Sequence, residues 1–272
     1  MEPFLRVCDI SYAYHSPLGA TPALSGISFT VNKGEFLAIV GPSGCGKSTL
    51  LSLLAGLLTP EEGSVYIGDA PLKEAQAGIG YMLQRDHLFE WRTIRENAAL
   101  GLEIRHRKTK AAMKTLDEML ENYGLAEFAD AHPSELSGGM RQRAALIRTL
   151  ILKPDLLLLD EPFSALDYQT RLTVCDDIAT IIRETKKTAI LITHDLAEAC
   201  VFCNNFDLST VQLINCNRKR FFAVLNRNKR HLAVNDLSRS LCCCKNDRIT
   251  TVDNLSCAFF HVLIDYFHQI GI

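Results

Sequence analysis

Residues 35–58 read EFLAIVGPSGCGKSTLLSLLAGLL, and within them Gly41-Pro42-Ser43-Gly44-Cys45-Gly46-Lys47-Ser48 fits the spacing G-x-x-x-x-G-K-[ST]. The flanks decide what that spacing means. Phe36 to Val40 is a short apolar run suited to a buried parallel strand, and Leu50 to Leu58 is apolar enough for a packed helix. Strand, glycine loop and helix is the context in which this spacing cradles phosphate. Gly41, Gly44 and Gly46 let the backbone curl so that N–H groups converge on phosphate oxygens. The helix opening near Lys47 adds its positive N-terminal end. Lys47 is expected to reach the β- and γ-phosphates, Ser48 to offer a hydroxyl to Mg²⁺, and Thr49 to touch the α-phosphate. Cys45 reads as a small filler of the loop and not as a nucleophile. A nucleoside-triphosphate site in an α/β fold is the expectation.

A second stretch supplies the acids. PDLLLLDEPFSALD (154–167) runs four leucines into Asp160-Glu161. A buried strand ending in a carboxylate puts that group at the C-terminal edge of a parallel sheet, where α/β proteins bind ligands. Asp160 is expected to hold Mg²⁺, mostly through water, and Glu161 to polarise the attacking water as general base. TAILIT (188–193) is another apolar strand, and His194 ends it. The histidine is therefore expected beside the same ligand, bonding the γ-phosphate and keeping Glu161 and water in register.

ELSGGMRQR (135–143) provides a further anion device. Ser137, Gly138 and Gly139 open a helical stretch, so that a hydroxyl and two glycine N–H groups stand at a helix start. With these elements in this order, residues 4 to about 199 strongly resemble the ATP-binding subunit of an ABC transporter. That resemblance implies a P-loop NTPase core with an antiparallel β edge and a helical lobe over about 85–150. It also implies a head-to-tail dimer in which the Leu136-Ser137-Gly138-Gly139 element of one subunit closes over ATP held by another. Tyr14 matches the aromatic that stacks on adenine, with Tyr12 the less favoured register. Gln84 matches the glutamine that contacts Mg²⁺ or water and senses the membrane subunit. Ser164-Ala165-Leu166-Asp167 matches the loop that crosses the dimer interface, and Asp167 also suits a helix cap.

Residues 87–103, HLFEWRTIRENAALGLE, resemble the segment found in importers of the nitrate, sulfonate and taurine class. Phe89, Trp91 and Ile94 are then expected either to line the groove that receives a permease helix or to be plain core. The implied partners are a second ATP-binding subunit, a transmembrane permease and, indirectly, a solute-binding protein, at the cytoplasmic face of the cell membrane. Two other readings stay open. One is a soluble ABC ATPase of the iron–sulfur assembly type; the other is a nucleotide-binding regulator that does not hydrolyse, against which Glu161 argues. The basic run RHRKTK (105–110) reads as a solvated helix flank, so no nucleic-acid partner is expected.

Composition separates this unit from the remainder of the chain. Residues 1–199 hold 20 Lys+Arg against 26 Asp+Glu, whereas residues 200–272 hold 9 against 5. Seven of the ten cysteines come after Ala199, the last Glu is Glu198, and the only Gly beyond Gly139 is Gly271. Glu, which is common at soluble surfaces, and Gly and Pro, which punctuate turns, are thus nearly missing from a segment of this length. STVQLI and FFAVL have the pattern of a hairpin that finishes the ATP-binding lobe, although no Asn-Gly turn joins them. Cys242-Cys243-Cys244 lacks the C-x-x-C spacing of a tetrahedral metal site. The segment 200–272 is expected to be out-of-frame or replaced sequence, which leaves a degenerate copy impaired by an aberrant C-terminus as a further reading. The N-terminus lacks a basic region followed by an apolar core, and LLSLLAGLL (50–58) is far short of the roughly 20 residues of a membrane span. A reducing compartment is therefore expected for the thiols.

Overall fold

The computed structural model describes residues 3–17, 19–41, 43–75, 78–164, 166–195, 198–199 and 201–202, together with the backbone of 210–216 and 220–226. Two sheets organise it. The first is antiparallel: β1 (Leu5–Ser16) pairs with β2 (Gly19–Val31) on one side and β4 (Glu62–Ile67) on the other, and the two-residue β5 (Ala70–Pro71) closes the order β2-β1-β4-β5. The second is mostly parallel, with β3 (Phe36–Val40), β6 (Ile79–Met82), β7 (Leu156–Asp160) and β8 (Thr188–Thr193) in the order β6-β7-β8-β3. Beyond β3 the order continues to β10 (Arg220–Asn226) and β9 (Thr210–Cys216), both antiparallel to their inner neighbours. The backbone pairing anticipated for STVQLI and FFAVL is therefore present.

Every residue of β3, β7 and β8 is buried, as expected of parallel strands covered on both faces. Period-two alternation splits them between two cores. Leu37, Ile39, Leu156, Leu158, Ile190 and Ile192 face the antiparallel sheet and α1 (Lys47–Leu54). Ala38, Val40, Leu157, Leu159, Ala189 and Leu191 face the helical side. That side consists of α3 (Ile94–Ile104), α4 (Lys110–Asn122), α5 (Gly138–Leu150) and α6 (Tyr168–Glu184); a short α2 (Leu72–Ala75) lies earlier in the chain. The helix α6 is the crossover between the parallel strands β7 and β8, which brings the ends of both strands to one edge.

Local chemistry fixes the lobe's helix ends. Thr93 Oγ1 accepts the Glu96 N–H at 3.2 Å while Glu96 accepts the Thr93 N–H at 3.0 Å, a reciprocal cap that starts α3. Gly124, at φ +67°, ends α4: its N–H reaches the Glu121 carbonyl and the Leu125 N–H reaches that of Leu120. The basic run 105–110 lies exposed between α3 and the start of α4.

The core does not stop at Ala199. Phe202 is fully buried, stacked 4.7 Å from Phe36 and 6.0 Å from Phe163. Cys242 to Cys244 and the terminal CAFFHVLIDYFHQIGI lie outside the described residues. Among the described residues no helix is long and apolar enough to cross a membrane.

Candidate nucleotide site

Three strand ends and one helix start converge at the C-terminal edge of the parallel sheet. β3 delivers Gly41, whose N–H donates to the Thr193 carbonyl at 3.4 Å, so the loop begins tied to the end of β8. The turn then enters α1 through Gly46 at φ +98°. A Cβ there would sit 2.7 Å from the Ala23 carbonyl oxygen, so this position combines a left-handed backbone with a close approach to β2. Gly44 and Ser43 face the open cleft, Cys45 is buried among the apolar residues beneath it, and Pro42 lies outside the described residues.

The cleft holds about 460 Å³ and is lined by Tyr14, Thr21–Ala23, the glycine loop with Lys47, Ser48 and Thr49, Gln84 and Glu161. Lys47 is only 4% exposed; its ammonium donates to the Gly41 carbonyl at 2.7 Å and lies 3.5 Å from Glu161 Oε1. Glu161 occupies a left-handed backbone conformation, φ +42°, costly for a residue with a side chain. Its N–H donates to the Ile192 carbonyl at 2.8 Å, which locks the kink against β8. The kink turns the carboxylate away from the strand line, and its other oxygen meets His194 Nδ1 at 2.9 Å. Lysine, glutamate and histidine thus stand in one contiguous chain.

Asp160 lies beside it, 6% exposed. Ser48 Oγ donates to its Oδ1 at 3.0 Å and Tyr81 OH donates to its Oδ2 at 3.2 Å. Burial pushes the Asp160 carboxyl above its ordinary range, against the hydrogen bonds from Ser48 and Tyr81. Burial, aided by Asp160, pushes the Tyr81 phenol to about 12, so that Tyr81 remains a donor. A serine hydroxyl and a carboxylate side by side are the hard oxygen donors that suit Mg²⁺. A divalent cation would also relieve the buried carboxylate.

At the other end of the cleft the Tyr14 phenol and the Thr49 hydroxyl are 3.1 Å apart, and the Tyr14 ring, 47% exposed, meets Tyr12 edge-on. Gln84 Nε2 is 3.5 Å from Ser164 Oγ, so the loop after β6 and the loop after β7 meet at the cleft rim.

Ser137 and Asp167 stand elsewhere. Both are exposed helix starts and neither lines the cleft: Ser137 Oγ accepts from Met140 N–H at 3.4 Å, and Asp167 accepts from Thr170 N–H at 3.1 Å. The Thr170 cap holds the Asp167 carboxyl below its usual range. Gly138 and Gly139 have a packing reason as well, since a Cβ on Gly138 would come 2.8 Å from Leu166 Cδ2 and one on Gly139 2.8 Å from Val174 Cγ2 of α6, so those side chains would have to shift.

For the expected permease groove, Trp91 is 73% exposed and tilted over the half-buried Phe89 at 4.7 Å. Ile94 is different. It is fully buried, because the Thr93 cap sets the first turn of α3 so that this side chain points into the lobe's core. It does not line the surface. Asn97, which the sequence did not single out, is buried and holds the Phe89 segment: it accepts from Phe89 N–H at 2.7 Å and donates to three backbone carbonyls. Tyr81 was missed too; a tyrosine in the strand just before Gln84 was the available signal.

Comparison with known proteins agrees with this geometry. The family model described as "ABC transporter" matches residues 24–164. The chain belongs to the ABC transporter family. An uncharacterized ABC transporter ATP-binding protein of Bacillus subtilis is 46% identical over 209 residues, 77% of this chain and 80% of the relative. The aliphatic sulfonates import ATP-binding protein of Bacillus licheniformis is 42% identical, over 71% of this chain and 74% of the relative. A taurine import relative from Pelagibacter ubique is 41% identical, over 70% of this chain and 72% of that one. Among solved structures, an ATP-binding cassette in a dimeric post-hydrolysis state with ADP and phosphate superposes with TM-score 0.62 at 30% identity, covering 72% of this chain and 90% of that one. The fold is thus that of the ABC ATPases, with the P-loop core, antiparallel edge and helical lobe the sequence led us to expect. The protein is an ATP-binding, ATP-hydrolysing subunit of the import-type ABC family.

Proposed function

We propose that this ABC ATPase powers the uptake of a small anion or organic solute of the nitrate, sulfonate or taurine class. The names of relatives support the solute class: they include sulfonate, taurine and, at 35–38% identity, nitrate import proteins. In this reading the subunit docks peripherally on a permease at the cytoplasmic face of the membrane, through the Phe89–Trp91 surface, and acts indirectly with a solute-binding protein.

The observation that carries the chemistry is the Lys47–Glu161–His194 chain beside the Asp160–Ser48 pair. The N–H groups of Ser43, Gly44, Cys45 and Gly46 and the start of α1 bind the phosphates, Lys47 bridges the β- and γ-phosphates, and Thr49 touches the α-phosphate. Tyr14 stacks on adenine. Ser48, Asp160 and Gln84 hold the Mg²⁺, which when bound neutralises charge on the phosphate oxygens. Glu161 accepts the proton of the attacking water, and His194 orients that carboxylate through Nδ1 and, when both ring nitrogens carry protons, donates through Nε2 to the γ-phosphate. Ser137, Gly138 and Gly139 of a second subunit close over the γ-phosphate, with Asp167 crossing the interface. Each site is then incomplete without the partner.

Glu161→Gln tests this. Hydrolysis should fall by about 10²–10⁴-fold while ATP is still bound, and ATP should convert the variant to a stable dimer in size-exclusion light scattering. Unchanged turnover would remove Glu161 as the base. Co-purification with a permease encoded beside it would support import.

We assign these roles to residues 1–199 and read 200–272 as out-of-frame or replaced sequence, on the composition break after Ala199. DNA sequence across codons 190–272 decides that assignment. A second open frame continuing the family pattern supports it; an open frame in the present register alone overturns it.

A further inference from the structure

Two arginines occupy the same place in two different helices. Arg141 is four residues beyond Ser137, the cap of α5, and Arg171 is four residues beyond Asp167, the cap of α6. Arg141 Nη1 donates to the Leu136 carbonyl at 3.3 Å, and Arg171 Nη2 donates to the Leu166 carbonyl at 2.9 Å. Each therefore grips the residue just before its helix cap, a polar counterpart of the apolar staple that fixes chain entry into helices.

The other arm of each guanidinium goes to a different loop. Arg141 Nε donates to Asp86 Oδ2 at 3.0 Å, and Asp86 lies two residues beyond Gln84. Arg171 Nη1 donates to Asp195 Oδ2 at 2.9 Å, and Asp195 directly follows His194. Both receiving loops are braced. Arg148 donates to the Asp86 and His87 carbonyls at 2.6 and 2.7 Å. On the other side Arg171 Nε lies 3.7 Å from Glu198 Oε1, and the buried Glu198 carboxylate accepts the Thr193 hydroxyl at 2.5 Å.

We infer that Arg141 and Arg171 are positioning residues that join each partner-facing helix start to a loop of the chain's own nucleotide cleft. The inference rests on the two-subunit reading above. Ser137 and Asp167 face outward, whereas Gln84 lines the cleft and His194 holds Glu161. A planar fork that satisfies two acceptors at once transmits a shift of either one to the other, which a lysine or a neutral amide does not reproduce. Closure of a partner on Ser137 or Asp167 is thereby coupled to the placement of Gln84 and of the His194–Glu161 pair.

The test uses the full chain carrying Arg171→Gln, Asp195→Asn, or both. Each single change should lower kcat by about tenfold to a hundredfold, the loss of one charge-assisted contact, with the ATP KM and monomer nucleotide affinity within about twofold. The double variant should be no slower than the slower single, because both changes break one link. ATP-driven dimerisation in a Glu161→Gln background should weaken in parallel. Multiplying losses in the double variant, or a kcat unchanged in either single, would overturn the inference. A KM that rises in step with the fall in kcat would do so too. If Arg171→Gln fails to fold, Arg141→Gln with Asp86→Asn repeats the cycle at a more exposed pair. Should Glu161→Gln alone fail to dimerise on ATP, the two-subunit reading fails, and the kcat cycle still decides the arginines.

Discussion

The starts of α1 and α5 are two glycine-flanked helix ends in one chain, and they are finished differently. At α1 the cap is Gly46, which offers no side-chain cap bond, and the helix opens onto the cleft. A buried ammonium and two carboxylates stand beside it. At α5 the cap is Ser137, whose hydroxyl already bonds the helix it starts, and the end is exposed. A helix end can attract an anion anywhere, but only the first is enclosed by side chains of three other elements around the Lys47 ammonium. The lesson is that the second end has its chemistry and lacks its surroundings, as a surface completed by another chain would.

Substitutions at each end separate the two roles. Lys47→Ala should have the largest effect: monomer affinity for MgATP, measured by fluorescent-nucleotide titration, should drop at least about a hundredfold through loss of charge-assisted phosphate bonds. Ser137→Arg should leave that affinity within about twofold yet remove at least about 99% of turnover in a coupled ATPase assay, by blocking partner closure. Equal losses of binding in the two variants would erase the distinction between the ends. Tyr14→Ala should weaken ATP by about 5- to 150-fold, the range of one base–aromatic stack, while affinity for inorganic triphosphate stays unchanged.

Stability gives a finer probe. Because burial raises the Asp160 carboxyl, its charged form costs the fold stability above that raised value, and the cost shrinks on acidification through it and is gone only below the ordinary carboxylate range. Asp160→Asn should therefore raise the apoprotein Tm by about 2–4 °C near neutral pH and by less toward pH 4, while turnover is lost. A Tm gain independent of pH would reject desolvation as the cause. Gly139→Ala should cost about 1 kcal/mol through its contact with Val174 and lower the Tm, with MgATP affinity at α1 unaffected.

Much of the site was legible because it is written in short segments. Strand, glycine loop and helix occupy residues 36–54 without interruption, so Lys47, Ser48 and Thr49 could be placed from spacing alone. LLLLD-E and TAILIT-H likewise announced buried strands ending in functional groups, and both end at the cleft edge. Ile94 shows where local reading fails. Apolar residues on a short segment carry no label for surface or core, and here Trp91 is exposed while Ile94, at the start of α3, is buried.

By itself, then, the sequence determined the nucleotide-binding elements, their order and the α/β class, because backbone propensity and period-two burial act over neighbouring residues. Only the tertiary structure decided which groups touch. Asp160 meets Ser48 across 112 positions, and Arg171 meets Asp195 across 24. The left-handed turn at Glu161 is locked by a bond to Ile192 on the neighbouring strand. Those contacts depend on the registers of β3 and β7 against β8, which no one segment encodes.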